Sequence, residues 1–316
     1  MHTKKEPVRD KALTKIFDYY RLPREEKVKF LKDQGAKDIL GVLPEKVAGI
    51  FKEGFLSGLP GSEIENWNKV ASYFYNNSSM IREITEDPGT FRMLEKIYTR
   101  RELVTPLDYM LYYSLSADAL RNRLNAVIRF TTAYLRSKVH ASTEQLLVLN
   151  LGAGTGRDTI EVCRNDPLIA EKTDIHCIDL DSEALAVGVR IASSRGLGNI
   201  RYFQKNITRL NYRKEADYGL LIGILCPLEF DHCVRLLKIM KRYFKPGAPV
   251  VAACVLDEML KKDLFTAYIL REIAGWNLCF RKPEDVQRMF EEAGYRYGGV
   301  FYDVPTRFYS IGIGLA

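Results

Sequence analysis

Leu146 to Asp158 reads L-L-V-L-N-L-G-A-G-T-G-R-D: an apolar run, three alternating glycines, then the start of a helix. This stretch constrains the fold more than any other. Glycine at 152, 154 and 156 supplies positions without a β-carbon, so the turn can take φ > 0. Main-chain N–H groups can then point at a ligand beside a helix N-terminus. A loop of this kind implies a nucleotide-like ligand without saying which one.

The downstream residues narrow it. A dinucleotide fingerprint, G-x-G-x-x-G, needs a small residue at 157 for close helix–strand contact and room for a pyrophosphate. Arg157 stands there, which argues against a nicotinamide cofactor. Asp174 to Asp181, D-I-H-C-I-D-L-D, is a short strand ending in carboxylates. Asp179 at its end faces the crevice where open α/β sheets bind ligands, and it can accept both ribose hydroxyl protons. Asp181 reads as an N-cap with Ser182. Further strands are read at Ile200–Ile207, at Ala216–Leu225 and, after the turn at Pro246-Gly247, up to Val255, with an amphipathic helix from His232 to Phe244. Five strand–helix alternations predict a parallel, doubly wound sheet with right-handed crossovers. Lys282 to Gly294 reads as a helix, and Tyr297–Asp303 with Phe308–Leu315 as a closing hairpin.

With G-x-G-x-G in the loop, Asp179 on the second strand and this succession of strands, Glu144 to Ala316 resembles the class I S-adenosylmethionine (SAM) dependent methyltransferases. The resemblance implies an α/β fold: a seven-stranded, doubly wound, Rossmann-like sheet whose last strand runs antiparallel. It implies SAM as cofactor and S-adenosylhomocysteine (SAH) as product, held by Asn150, Gly152, Ala153, Gly154, Gly156, Asp179, Leu180, Asn206, Ile207 and Gly223. Two positions depart from the family pattern. Asn150 stands where the family has an acid, and Asn206 where it has an acid on the adenine amino group; an amide oxygen can still accept from that group. The resemblance also places Gly223 to Glu229 along the active site.

Composition sets the surroundings. The 316 residues suffice for two domains, and no stretch approaches the roughly 20 apolar residues that span a bilayer. The first ten residues, M-H-T-K-K-E-P-V-R-D, lack the apolar core of a signal peptide, so a cytoplasmic location is expected. Six cysteines (163, 177, 226, 233, 254 and 279) lie in the C-terminal half without C-x-x-C spacing and read as reduced, structural thiols. The pairs His176-Cys177 and His232-Cys233 are neighbours that diverge, so no metal site is expected. A net charge of +7 could attract nucleic acid, but bases alternate with acids, as in Arg24–Lys29, and a solvated surface is the simpler reading.

The first 140 residues read as short helices punctuated by Leu43-Pro44, Leu59-Pro60-Gly61 and Asp87-Pro88-Gly89, with one long pattern from Pro106 to Val139. The division expected is a helical substrate or lid domain over 1–140 and a SAM-binding domain over 141–316. Trp67, Tyr73, Tyr75, Tyr109, Tyr112 and Tyr113 are candidates to line an acceptor pocket, or to fill a helical core. An insertion at Leu256–Phe280, with Tyr268, Arg271 and Trp276, is expected to form the other wall.

Methyl transfer from a sulfonium is an in-line displacement that rests mainly on positioning. Any general base would come from Glu229, His232, Tyr113 or Asp257, none singled out by spacing. Cys226-Pro227-Leu228-Glu229 stands where base and glutamine N-methyltransferases carry N/D-P-P-Y/F, which argues against those acceptors. Cys-Pro is also the reverse of the Pro-Cys nucleophile of cytosine-C5 enzymes. A small organic or lipid-like acceptor is the leading expectation. The alternatives are aminocarboxypropyl transfer as in nicotianamine synthase, RNA methylation, and a non-catalytic SAM-binding module.

Overall fold

A computed structural model of the chain describes residues 24–213 and 215–316, leaving the side chains of Gln34 and Gly35 aside. The expectation drawn from the first ten residues lies outside the described residues. Seven strands form one sheet: β1 (Leu146–Leu151), β2 (Thr173–Asp179), β3 (Ile200–Gln204), β4 (Tyr218–Leu221), β5 (Pro249–Val255), β6 (Arg296–Tyr302) and β7 (Tyr309–Leu315). Their order is β3-β2-β1-β4-β5-β7-β6. The pairs along β3-β2-β1-β4-β5 are parallel, and β7 runs antiparallel between β5 and β6. The order reverses direction between β1 and β4, which opens a crevice at their carboxyl ends.

The central strands are continuously apolar because helices cover both faces. One face packs Leu149, Ile178 and Val250 against Leu237 and Met240 of the helix Phe230–Lys241 and Phe290 of the helix Pro283–Glu292. The opposite face packs Val148, Ile175, Tyr218 and Val251 against Val127, Ile128, Leu135 and Val139 of the helix Leu115–Ala141. That long helix is thus a wall of the sheet. The pattern read as one helix from Pro106 to Val139 breaks after Tyr112, because the Ser114 hydroxyl accepts the Ala117 N–H at 3.2 Å and starts a new helix.

Helices between Arg24 and Tyr112 close into a cap with a core of its own. Phe51 stacks on Trp67 at 6.0 Å between centroids, and Tyr268 stands edge-on to both, at 5.7 and 5.9 Å. Each fully buried ring of this kind contributes roughly 1.5–3 kcal/mol. Tyr268 belongs to the insertion, whose helices Glu258–Lys262 and Leu264–Glu272 add Met259, Leu260, Leu264, Phe265 and Ile269 to this core. The insertion therefore ties the cap to the sheet. Among the described residues, no helix is long and apolar enough to cross a membrane.

Candidate functional site

Gly152, Gly154 and Gly156 take φ of +67°, +53° and +68°, as the sequence demands. Their N–H groups are spent differently from the expectation. Gly152 and Ala153 both donate to the Ile178 carbonyl, at 2.8 and 3.2 Å, and Gly156 donates to the Ala153 carbonyl at 2.8 Å. Gly154 donates to Asp179 Oδ2 at 2.7 Å. The loop's amides thus lock it to the end of β2 instead of facing a ligand, and they place Asp179 beside the glycines. Asp179 Oδ1 also accepts the Asp181 N–H at 3.0 Å, while Asp181 caps the helix Ser182–Ser194 through the N–H groups of Glu183 and Ala184.

Over this loop lies a cavity of about 400 Å³. Asp179, Leu180 and Asp181 line one end, Asn150 and the glycine loop the floor, and Gly223, at φ +94°, the middle. Phe91 and Tyr98 of the cap helix Phe91–Thr99 form the roof. Arg123, Cys226, Trp276 and Tyr309 line the far end.

Asn150 is fully buried and its side-chain amide donates to Asp158 Oδ1 at 2.7 Å. The acid missing from position 150 is therefore present in space, carried by the first turn of the helix Arg157–Asn165. Burial pushes the Asp158 carboxyl up, against the hydrogen bonds from Thr159 N and Asn150. Burial likewise raises the Cys226 thiol, which stays protonated.

Several expected residues lie elsewhere. Asn206 is exposed, and its Oδ1 accepts Thr208 N at 2.9 Å and Thr208 Oγ1 at 2.8 Å, capping the turn Ile207–Arg209. Ile207 packs away from the cavity, and its carbonyl accepts from Tyr243 Oη at 3.0 Å. An Asx-type cap explains Asn206 without a ligand. Glu229 begins the helix Phe230–Lys241 and accepts from Cys279 Sγ at 3.6 Å. His232 is exposed on that helix, and Tyr113, 58% exposed, lies in a separate hollow beside Phe30 and Lys262. Asp257 lies 3.6 Å from Lys261, outside the cavity lining. None of the four lines the cavity; β4 stops at Leu221, earlier than the expected Leu225, and the loop after it contributes Gly223, Ile224 and Cys226 but not Glu229 or His232.

Of the six cap aromatics, Trp67 takes the second reading and fills the core, and Tyr75 donates to Glu86 at 2.6 Å. Tyr73, Tyr109, Tyr112 and Tyr113 are absent from the lining too, which Phe91, Tyr98, Trp276 and Tyr309 supply. Arg123 was missed although the sequence carried a signal. It interrupts the stripe of Leu120, Leu124 and Val127 on the buried side of its helix.

Residues 142–294 match the family described as "Methyltransferase domain". This stretch is a methyltransferase domain. The sheet order and antiparallel β7 make the methyltransferase one of class I, and its cofactor is SAM. No curated protein sequence matches the chain. Among solved structures, one described as a possible exported protein from Bordetella parapertussis is similar over 94% of this chain and 98% of its own. It is 16% identical, with a TM-score of 0.61. Magnesium protoporphyrin IX methyltransferase from Synechocystis with bound SAH is similar over 75% of this chain and 98% of its own, at 12% identity and a TM-score of 0.54. At these identities the likeness is one of fold, and the first covers the helical cap as well as the sheet.

Proposed function

We propose that this methyltransferase acts on a small organic or lipid-like acceptor held between the glycine loop and the helical cap. One observation carries the reading: the cavity is roofed by Phe91 and Tyr98 and closed at its far end by Trp276 and Tyr309. A volume of about 400 Å³ walled by rings suits a small molecule. A nucleic-acid strand would call for an open, basic channel.

The residues fit the cofactor. Asp179 presents a carboxylate at the strand end, suited to ribose hydroxyls, and Gly154 leaves open space over the loop, where a β-carbon would meet nothing closer than Phe91 Cβ at 3.9 Å. Ala153, Gly154 and Leu180 complete that half, Gly223 borders it at the middle of the cavity, and Asn150 holds Asp158 beneath it. SAM supplies an already activated methyl group. The protein's part is to orient and to exclude water, through the rings of the cap and the insertion.

In this reading residues 1–140 act as a lid and 141–316 as the SAM-binding domain, with the helix Leu115–Ala141 as their shared wall. All six cysteines are free, which supports a reducing, cytoplasmic setting. Incubation with methyl-labelled SAM and a panel of small acceptors tests the proposal. Label in a product together with SAH supports it; methylthioadenosine as the by-product would mean aminocarboxypropyl transfer instead.

A further inference from the structure

Arg123 is 4% exposed, lines the cavity, and is incompletely paired. Its Nη2 donates to Tyr98 Oη at 3.2 Å and its guanidinium lies over the Tyr309 ring, 4.7 Å from the centroid. Its Nε has no hydrogen-bond partner, and among the described residues no carboxylate forms an ion pair with it. Asp158 is near enough to feel the charge, yet its carboxyl is pushed up by burial and bonded to Asn150. A buried guanidinium without a counterion is costly, and arginine stays charged. The unmet charge and donors ask for a planar anion with two acceptor oxygens.

Topology says which molecule brings it. Asp179 ends β2, on one side of the crevice between β1 and β4. Arg123 stands on the other side: it covers Tyr309, which starts β7 opposite Val255 of β5, and a β-carbon on Gly223 would lie 4.0 Å from its Nη1. The ribose end and the arginine end are thus opposite ends of one cavity. Resting on the proposed reading of the crevice as a SAM site, we infer that Arg123 anchors a carboxylate of the methyl acceptor, so that the substrates are small carboxylic acids. Tyr98 holds the guanidinium in place and Tyr309 supports its face.

The test is titration of the SAH-loaded protein with benzoate and with benzamide, its neutral counterpart. Benzoate should bind at least tenfold more tightly, and Arg123→Met should abolish that preference while SAH affinity changes less than twofold. Arg123→Lys, which keeps charge without the fork, should retain part of it. Without ligand, Arg123→Met should not lower the thermal midpoint, whereas a purely structural arginine would be missed on heating. Equal binding of benzoate and benzamide would overturn the inference. A tenfold loss of SAH affinity in Arg123→Met, with methylthioadenosine affinity unchanged, would overturn it too by assigning the anchor to the cofactor's own carboxylate. Failure of the unmodified protein to bind SAH would instead overturn the SAM-site reading beneath it.

Discussion

Glu95 and Arg157 join the helical cap to the glycine loop. Glu95 Oε1 accepts from Arg157 Nε at 2.8 Å and from Thr155 Oγ1 at 2.9 Å, while Arg157 Nη2 pairs with the second carboxylate oxygen. Both side chains are mostly buried, at 19% and 15% exposure. The residue that rules out a dinucleotide loop is thus the one that fastens the roof to the floor. Arg92 and Glu183 make a second, exposed pair between the cap and the helix after β2, of small energetic weight.

Removing the latch should therefore affect cofactor binding. Glu95→Ala and Arg157→Ala are each expected to weaken SAH binding several-fold and to lower stability by about 1–3 kcal/mol. The double variant should be little worse than either single one, since both break the same contact. A thermodynamic cycle from calorimetry checks this. Strictly additive losses would show that the pair does not act as a unit.

Asp179 is the ribose acceptor in this account and also the anchor of Gly154. Asp179→Ala should weaken SAH binding by about 1–3 kcal/mol, as expected for a lost charge-assisted hydrogen bond. Unchanged affinity, measured by titration, would remove the ribose assignment.

The glycines are expected to separate binding from folding. A β-carbon on Gly154 would meet nothing closer than Phe91 Cβ at 3.9 Å, so Gly154→Val should fold, with about 1–2 kcal/mol of left-handed strain, and lose SAH binding. At Gly152 the added carbon would overlap Ile224, and Gly152→Val should lower the thermal midpoint further. Thermal melts paired with SAH titrations check both variants.

The sheet was legible because its signals are local. Apolar strands, the glycine loop and the Asp181 cap each follow from a few consecutive residues, and the structure places β1, β2, β5 and the final hairpin close to where the sequence put them. The acceptor end was not legible, because it is assembled from residues far apart in sequence: Tyr98, Arg123, Cys226, Trp276 and Tyr309. Asn206 misled because an amide suits an adenine contact and a turn cap equally well, and the cap was formed. Trp67 stayed open between two readings, because an aromatic residue on a helix looks the same whether it faces a pocket or a core, and it joined the core.

Asp108 contributes to the acid limb of stability. Burial pushes its carboxyl up, but the N–H groups of Met80 and Val104 and the hydroxyls of Ser78 and Ser79 outweigh it and hold it below its ordinary value. A depressed folded value contributes stability above the unfolded value, and that contribution is lost as pH falls through the folded one. Asp158 and Asp263, raised by burial, act oppositely: their contribution is lost as pH rises through their raised values. Asp108→Asn should cost about 1–3 kcal/mol at pH 7, with the difference shrinking below about pH 4. Denaturant melts across that range check the sign.

In the proposed reading the crevice between β1 and β4 is a SAM site. Calorimetric titration of the unmodified protein with SAM, SAH and NAD in parallel tests it most directly. Micromolar binding of SAM or SAH, with none of NAD, is the predicted result; binding of NAD alone, or of none of the three, would contradict it.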